Sequence, residues 1–323
     1  MTVLVTGGAG YIGAHVVDAL QCVDRPVVVV DDLSTGSASR VPETVPVLEL
    51  DLRRSDRSAE LAEFMATHEV DSVIHLAAAK QVGESVDYPE RYLGENLAEL
   101  GTVVAAAREV GLRALLFSSS AAVYGSPEVA RVREDAPLQP VNPYGASKLA
   151  GEWLTADTAR ALGIPAASLR YFNVAGAARP ELGDLQATNL IPMVFERLDA
   201  GERPRIFGAD YPTADGTCIR DFIHVVDLAD AHVAALDWIG RQGAPGDHYA
   251  FNVGTGSGSS VIEVLRVVRE VTGIDVEPLV EPRRAGDPPQ VVAVVERIAD
   301  LVGWRARNDL RQMVESAWAA WRR

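Results

Sequence analysis

Thr2-Val3-Leu4-Val5-Thr6-Gly7-Gly8-Ala9-Gly10-Tyr11-Ile12-Gly13 decides the fold. An apolar strand pattern runs straight into glycines at 7, 10 and 13, and a helical pattern follows over Ile12–Gln21. The spacing suits a strand–turn–helix unit that holds a dinucleotide. Gly7 allows the tight turn, Gly10 lets backbone approach a pyrophosphate, and Gly13 lets the helix pack close to the sheet. The helix N-terminus offers free N–H groups and a positive dipole end to the phosphates. A second strand pattern, Val27–Val30, ends in Asp31, 18 residues beyond Gly13. A carboxylate there accepts from ribose hydroxyls and repels a 2′-phosphate, so NAD is expected rather than NADP. Asp32 adds to that negative charge.

Outward from this unit the rhythm continues. Val3–Val5, Val27–Val30, Val45–Leu50, Ser72–Leu76, Ala114–Ser118 and Ala166–Arg170 read as strands. Ile12–Gln21, Ala59–His68, Pro89–Val110 and Tyr144–Leu162 read as helices. Short apolar strands with crossover helices predict an α/β fold, a Rossmann-type doubly wound parallel sheet covered on both faces. Past Val174 glycine, proline and aspartate become frequent and strand candidates scatter. A smaller C-terminal α/β lobe that carries the substrate is expected there. The division is placed at 1–173 and 174–323, with some later segments returning to the first domain.

The composition narrows the functions. A formal net charge of −15 argues against a nucleic-acid or anionic-membrane surface, so an anionic ligand must find a local cluster of arginines. Cys22 and Cys218 form neither a metal spacing nor a disulfide framework. The six histidines show no ligand constellation, His75 reads as structural, and no metal is expected. No apolar run reaches transmembrane length, and the first strand pattern begins at Thr2, so a reducing cytoplasm is the expected location.

Asn142-Pro143-Tyr144-Gly145-Ala146-Ser147-Lys148 carries the chemistry. Asn142 can cap a helix and Pro143 suits its first position. Tyr144 and Lys148 then share a face, one turn apart. A phenol with a pKa of about 10 is a poor base at neutral pH, and bringing it to about 7 needs roughly 4 kcal/mol of differential stabilisation. A neighbouring ammonium and an oxidised nicotinamide can supply that together. Upstream, Phe117-Ser118-Ser119-Ser120 ends a strand at the carboxyl edge of the sheet, where such folds place ligands. Lys80 and Lys148 are the only lysines among 30 basic residues. An arginine bias that spares two positions marks them as places where a compact ammonium can do what a guanidinium cannot.

These residues resemble the extended short-chain dehydrogenase/reductase family, in its nucleotide-sugar epimerase branch. The likeness runs through Thr6–Gly13, Leu76–Ser85, Phe117–Gly125, Tyr144–Lys148, Tyr171–Ala177, Asn189–Pro192, Ile206–His232 and Arg283–Asp287. It implies a redox-neutral, NAD-dependent inversion at C4 of UDP-hexoses such as UDP-galactose and UDP-glucose, through a 4-keto sugar. Ser120 and Tyr144 would serve the sugar 4-hydroxyl, with Lys148 behind Tyr144. The resemblance places Gly7, Gly10, Tyr11, Ile12, Gly13, Asp31, Asp32, Asp51, Leu52, Leu76, Ala77, Ala78, Lys80, Asn96, Ser118 and Tyr171 at the cofactor. Asp51 and Leu52 would lie by the adenine and Lys80 by the nicotinamide half. It places Asn173, Asn189, Leu190, Phe207, Arg220, Arg284, Asp287 and Val291 at the nucleotide sugar. The arginines fit a diphosphate on physical grounds as well, since guanidinium binds phosphate bidentately. The long helices would form a homodimer interface, and no nucleic-acid or membrane partner is expected.

Several residues depart from the family pattern. Glu99-Leu100 stands where the family has Gly-Thr, Asp32 where it has asparagine, and Phe222 where it often has tyrosine. Val291 stands where members restricted to unacetylated sugars carry a bulky tyrosine, so UDP-N-acetylhexosamines are a second expected substrate class. A 4,6-dehydratase of the same fold would need Asp-Glu after the catalytic hydroxyl, and Ala121-Ala122 stands there. A non-enzymatic NAD-binding protein would typically lack Tyr144 or Lys148, and both are present.

Overall fold

A computed structural model describes residues 2–184, 186–284 and 287–323. Seven parallel strands form the main sheet, in the order Val47–Glu49, Val27–Asp31, Thr2–Thr6, Val70–His75, Ala114–Ser120, Ala166–Tyr171, His248–Val253. Strand order reverses beside Thr2–Thr6, so a crevice opens at the carboxyl ends of the central strands. The inner strands are apolar along their length because helices cover both faces. All five residues of Val27–Asp31 are buried. One face packs Val3, Val5, Val16 and Leu20 with Leu228 and Leu236. The other packs Leu4, Val28, Leu61 and Met65 with Val103 and Leu115.

The expected strand Val45–Leu50 is shorter, Val47–Glu49. Pro46 has no N–H for the ladder. Val45 instead donates to Pro42 in a turn (2.9 Å), while the Pro46 carbonyl accepts from Val29 (2.9 Å). A short helix, Val82–Asp87, was absent from the sequence pattern, being too brief to show a period. The Tyr-Lys helix spans Pro143–Leu162. Asn142 caps it by accepting from Gly145 N (2.8 Å), and Gly163 ends it in the left-handed region at φ +65°.

The seventh strand, His248–Val253, comes from the second half of the chain. It follows the helix Val225–Gln242, which packs on Tyr11–Cys22. Exchange runs the other way too. Arg131–Val132, from the first half, pairs with Gln290–Ala293 in the second sheet. The centre of that sheet is Ile219–His224. It pairs with Gly258–Ser260, with Gln290–Ala293 and, at its far end, with Asn173–Ala175. A parallel pair, Arg205–Phe207 with Leu279–Glu281, completes the lobe's strands among the described residues. Helices Leu190–Asp199, Val261–Thr272 and Leu310–Trp321 close over it through Ile191, Phe195, Val264 and Met313.

Candidate active site

The glycine loop is built around close approaches. Gly7 sits at φ +68°, and a Cβ on it would come 2.8 Å from Ala77 N. A Cβ on Gly13 would lie 2.0 Å from the Gly7 carbonyl oxygen. Gly10 is less constrained by its own protein, since a Cβ there would meet only that same oxygen, at 3.2 Å. Gly10 also caps the helix Tyr11–Cys22 without a side chain, which leaves the approach to the first turn open. Asp31 is 7% exposed, and each of its oxygens is already held: Oδ2 by Ala9 N and Oδ1 by Leu33 N, both at 2.9 Å. Burial raises its pKa and these N–H groups oppose the rise. The carboxylate is therefore oriented before any ribose arrives.

A cleft of about 1370 Å³, counting the space at its mouth, runs from this loop across the strand ends. Gly7, Gly10, Tyr11, Ile12, Gly13, Asp31, Asp32, Leu52, Leu76, Ala77, Ala78 and Lys80 line it, as do Tyr144, Lys148 and Tyr171. A glycine cradle, a carboxylate held in place by backbone N–H groups and an apolar wall of Leu52, Leu76 and Ala77 suit a dinucleotide.

Asp51, Asn96 and Ser118 are not among the lining residues. Asp51 is bound bidentately by Arg53, at 2.7 and 3.0 Å, which lowers its pKa. Arg53 also reaches Asp32 (3.1 Å) and Glu95 (3.7 Å). Asn96 works from behind the wall. It accepts from Ala79 N (2.8 Å) and donates to Ala79 O (3.1 Å) and Ser147 Oγ (2.9 Å), clamping the loop before Lys80 to the Tyr-Lys helix. The Ser118 carbonyl accepts from Lys148 Nζ at 3.0 Å, and its hydroxyl pairs with His232 (3.0 Å). Lys80 is exposed at the cleft edge, whereas Lys148 is 3% exposed.

Tyr144 is 8% exposed on the cleft wall. Lys148 Nζ lies 5.9 Å from its ring centroid and 5.2 Å from that of Phe117. Within the protein alone the expected depression of the phenol pKa does not occur. Burial pushes Tyr144 well above its ordinary value, Tyr171 adds to this, and a hydrogen bond with Ser120 works the other way. Burial likewise draws Lys148 down to about 8. Ser120 Oγ also accepts from Ala122 N (3.1 Å), which caps the turn Ala121–Tyr124 and fixes the hydroxyl beside the phenol. Beneath it, Ser119 donates to Glu152, which is ion-paired with Arg170 at 2.6 Å in the core.

The strand register links this centre to the second lobe. Ser120 pairs with Tyr171, Asn173 with Phe222, and Arg220 with Val291. Arg220 donates to Pro288 O (2.8 Å) and faces Asp287 at 3.5 Å. The Arg284 guanidinium stacks on Phe207 at 3.8 Å. Asn189 precedes the helix that Leu190 begins without capping it through its side chain, and donates instead to Asp184 (3.1 Å), a cleft-lining residue. Val291 is 8% exposed and packs with Val123, Leu149 and Phe172, while Phe222 is buried with Ile191 and Phe195. Sequence reasoning overlooked Arg53, Asp184, Gln186 and Glu99, all of which line the cleft. None lies in a glycine or Tyr-Lys pattern, and only the Gly-Thr departure pointed toward Glu99.

Residues 3–254 match the model of the NAD dependent epimerase/dehydratase family. A UDP-glucose 4-epimerase of Azospirillum brasilense is 46% identical over 327 residues, covering 99% of this chain and 92% of that one. A crystal structure of UDP-glucose 4-epimerase from Stenotrophomonas maltophila, with bound NAD and formylated UDP-arabinopyranose, superposes with a TM-score of 0.93. It is 39% identical and the match covers 100% and 98% of the two chains. A UDP-Glc/GlcNAc 4-epimerase from Campylobacter jejuni superposes at 0.86, with 36% identity over 99% of both chains.

Proposed function

Because the chain belongs to the NAD dependent epimerase/dehydratase family, we propose that it interconverts UDP-galactose and UDP-glucose by NAD-dependent 4-epimerisation. The observation that carries this reading is Tyr144 on the wall of a dinucleotide cleft with the Ser120 side chain hydrogen-bonded to it, at the strand ends that lead by register to Arg220. Bound NAD would supply a hydride acceptor and donor for C4 of the sugar, and a positive ring that would offset the burial of the phenol.

The chain's own residues do the rest. Tyr144 takes the proton of the 4-hydroxyl and later gives it back, with Ser120 orienting or relaying it. Lys148 stands behind the phenol as a cation, held by the Ser118 carbonyl. Asp31 and the glycine loop hold the cofactor's ribose and pyrophosphate. Lys80 adds a cation at the nicotinamide half, Leu52 lies by the adenine, and Asn96 holds the wall from behind. Asn173, Asn189, Leu190, Phe207, Arg220, Arg284 and Asp287 anchor the UDP. With the nucleotide fixed by charge, the sugar is free to turn and present its other face. Ala121 and Ala122, next to Ser120, offer no acid–base pair for elimination across C5 and C6, which disfavours a 4,6-dehydratase.

Val291, with no bulky ring at its position, extends the reading to UDP-N-acetylhexosamines. The working unit is a homodimer built on the helices Pro89–Val110 and Pro143–Leu162. They lie side by side, with Leu93 and Trp153 exposed on them (38% and 63%). The first domain, residues 1–173, binds NAD and residues 174–323 mainly hold the nucleotide sugar, with His248–Val253 returning to the first sheet. The unpaired cysteines and the net charge of −15 suit a cytoplasmic setting, and no helix among the described residues is long and apolar enough to cross a membrane.

A panel of UDP-sugars offered to purified protein with no added cofactor tests the reading. Interconversion of UDP-galactose and UDP-glucose is expected. A product lighter by one water, or NAD-loaded protein inert toward every UDP-hexose, would overturn it. Turnover of UDP-galactose with none of UDP-N-acetylgalactosamine would remove the extension through Val291.

A further inference from the structure

Glu99 stands on the helix Pro89–Val110 and lines the same cleft as Tyr144 and Lys148. Its Oε2 is shut away from solvent and has no hydrogen-bond partner among the described residues. A carboxylate in that position is costly unless a cation faces it. Arg53, Asp32, Glu95 and Lys148 are the charged groups that act on Glu99. Arg53 is already shared among Asp51, Asp32 and Glu95. Lys148 has the complementary shortage. An ammonium carries three donors, and its one protein acceptor among the described residues is Ser118 O. The neighbours acting with it are Glu99, His75 and the rings of Phe117 and Tyr144. Burial raises Glu99 to about 7 and lowers Lys148 to about 8, and the charge of each opposes the shift of the other.

We infer that Glu99 is a positioning residue that keeps Lys148 in its charged form, so that a cation remains behind Tyr144 into the alkaline range. The inference rests on the proposed role of Lys148 at Tyr144. It also gives a use to the Glu99-Leu100 departure, which puts a carboxylate where the resembled family has glycine. Glu99 gains its charge as pH rises through about 7, before Lys148 would lose its own near 8. The two groups titrate as a pair, and removing the carboxylate moves the loss of the lysine proton to lower pH.

The composition makes the test direct, because Lys80 and Lys148 are the only lysines. NAD-loaded protein labelled with 13C at lysine Cε gives two lysine signals, and Lys80→Arg identifies Lys148. Titration from about pH 6 to about pH 11 then reads its midpoint. In Glu99→Gln the Lys148 midpoint is expected to fall by roughly half a unit or more, and the alkaline limb of kcat/KM to move down with it. Glu99→Asp is expected to restore part of the shift, and Glu95→Gln to leave the midpoint in place. An unmoved Lys148 midpoint in Glu99→Gln, or an equal shift in Glu95→Gln, overturns the inference. If Glu99→Gln does not fold, Glu99→Ala is read in its place, and an unmoved midpoint there overturns the inference equally. The titration needs no turnover, so wild-type protein that fails to epimerise counts against the proposed reaction and leaves this result standing.

Discussion

On the glycine-loop side of the cleft, what matters is largely backbone and absent side chains. Gly7 and Gly13 have main chain where a Cβ would stand, and Asp31 is locked by two N–H groups before a ligand arrives. The candidate substrate residues of the second lobe, which stand outside that cleft lining, are instead long side chains. Arg220 reaches Asp287 at 3.5 Å with both partly exposed, and Arg284 lies flat on Phe207. The first arrangement is rigid and suits a cofactor that stays. The second can be loosened and remade, which suits a nucleotide sugar that must enter, turn and leave. The proposed reaction needs both, because the hydride acceptor must stay fixed while the sugar changes face.

The largest effect that sharpens this contrast is expected at Gly13→Ala. The new methyl would lie between backbone segments that cannot retreat. A stability loss of about 3 kcal/mol by chemical denaturation is expected. NAD should be lost on purification. Folded, NAD-loaded Gly13→Ala protein would show that the loop is less rigid than its geometry implies. Next in size is Arg220→Met. Its ion pair is partly exposed, so stability should change by less than about 1 kcal/mol. The KM for the UDP-sugar should rise roughly tenfold or more, as expected for a charge-assisted hydrogen bond to phosphate. NAD content should not change, and its loss would erase the distinction between the two sides.

The effect spread most widely over the molecule comes from buried histidines. Burial lowers His15, His232 and His248 to about 4 and His75 to about 3, from an ordinary value of 6.5. The unfolded chain takes up protons that the native state refuses. The stability tied to these groups is thus present above about 6.5 and lost as pH falls toward about 4. Glu99, raised to about 7, opposes the trend as a single group. Unfolding free energy should therefore fall between pH 7 and pH 5, by roughly 1 kcal/mol per histidine. A flat profile over that range would show that these rings are not buried as described.

The same contrast explains what the sequence made legible. The glycine loop, Asp31 and the Tyr144–Lys148 helix lie within short segments whose spacing states their geometry. Asn142 and Pro143 likewise mark their own helix start. The second lobe depends on pairings between distant segments, such as Asn173 with Phe222, Arg220 with Val291, and Arg131 with Val292. No local period announces these, and the lobe's contacts could be assigned only by resemblance. Asp51 too is assigned only by resemblance; its carboxylate is engaged by Arg53 and stands outside the cleft lining. Glu99 carried no such signal. A glutamate within a helix reads as a solvated charge until the fold places it on the wall of the cleft that Lys148 also lines.

The central claim is that Tyr144 moves the proton of the 4-hydroxyl while the glycine loop independently keeps NAD in place. Single-turnover epimerisation of UDP-galactose by Tyr144→Phe, with bound NAD measured on the same sample, tests it most directly. The account predicts full NAD occupancy and a rate at least about a thousandfold below wild type. A Tyr144→Phe protein that retains NAD and epimerises at a near-normal rate would contradict it.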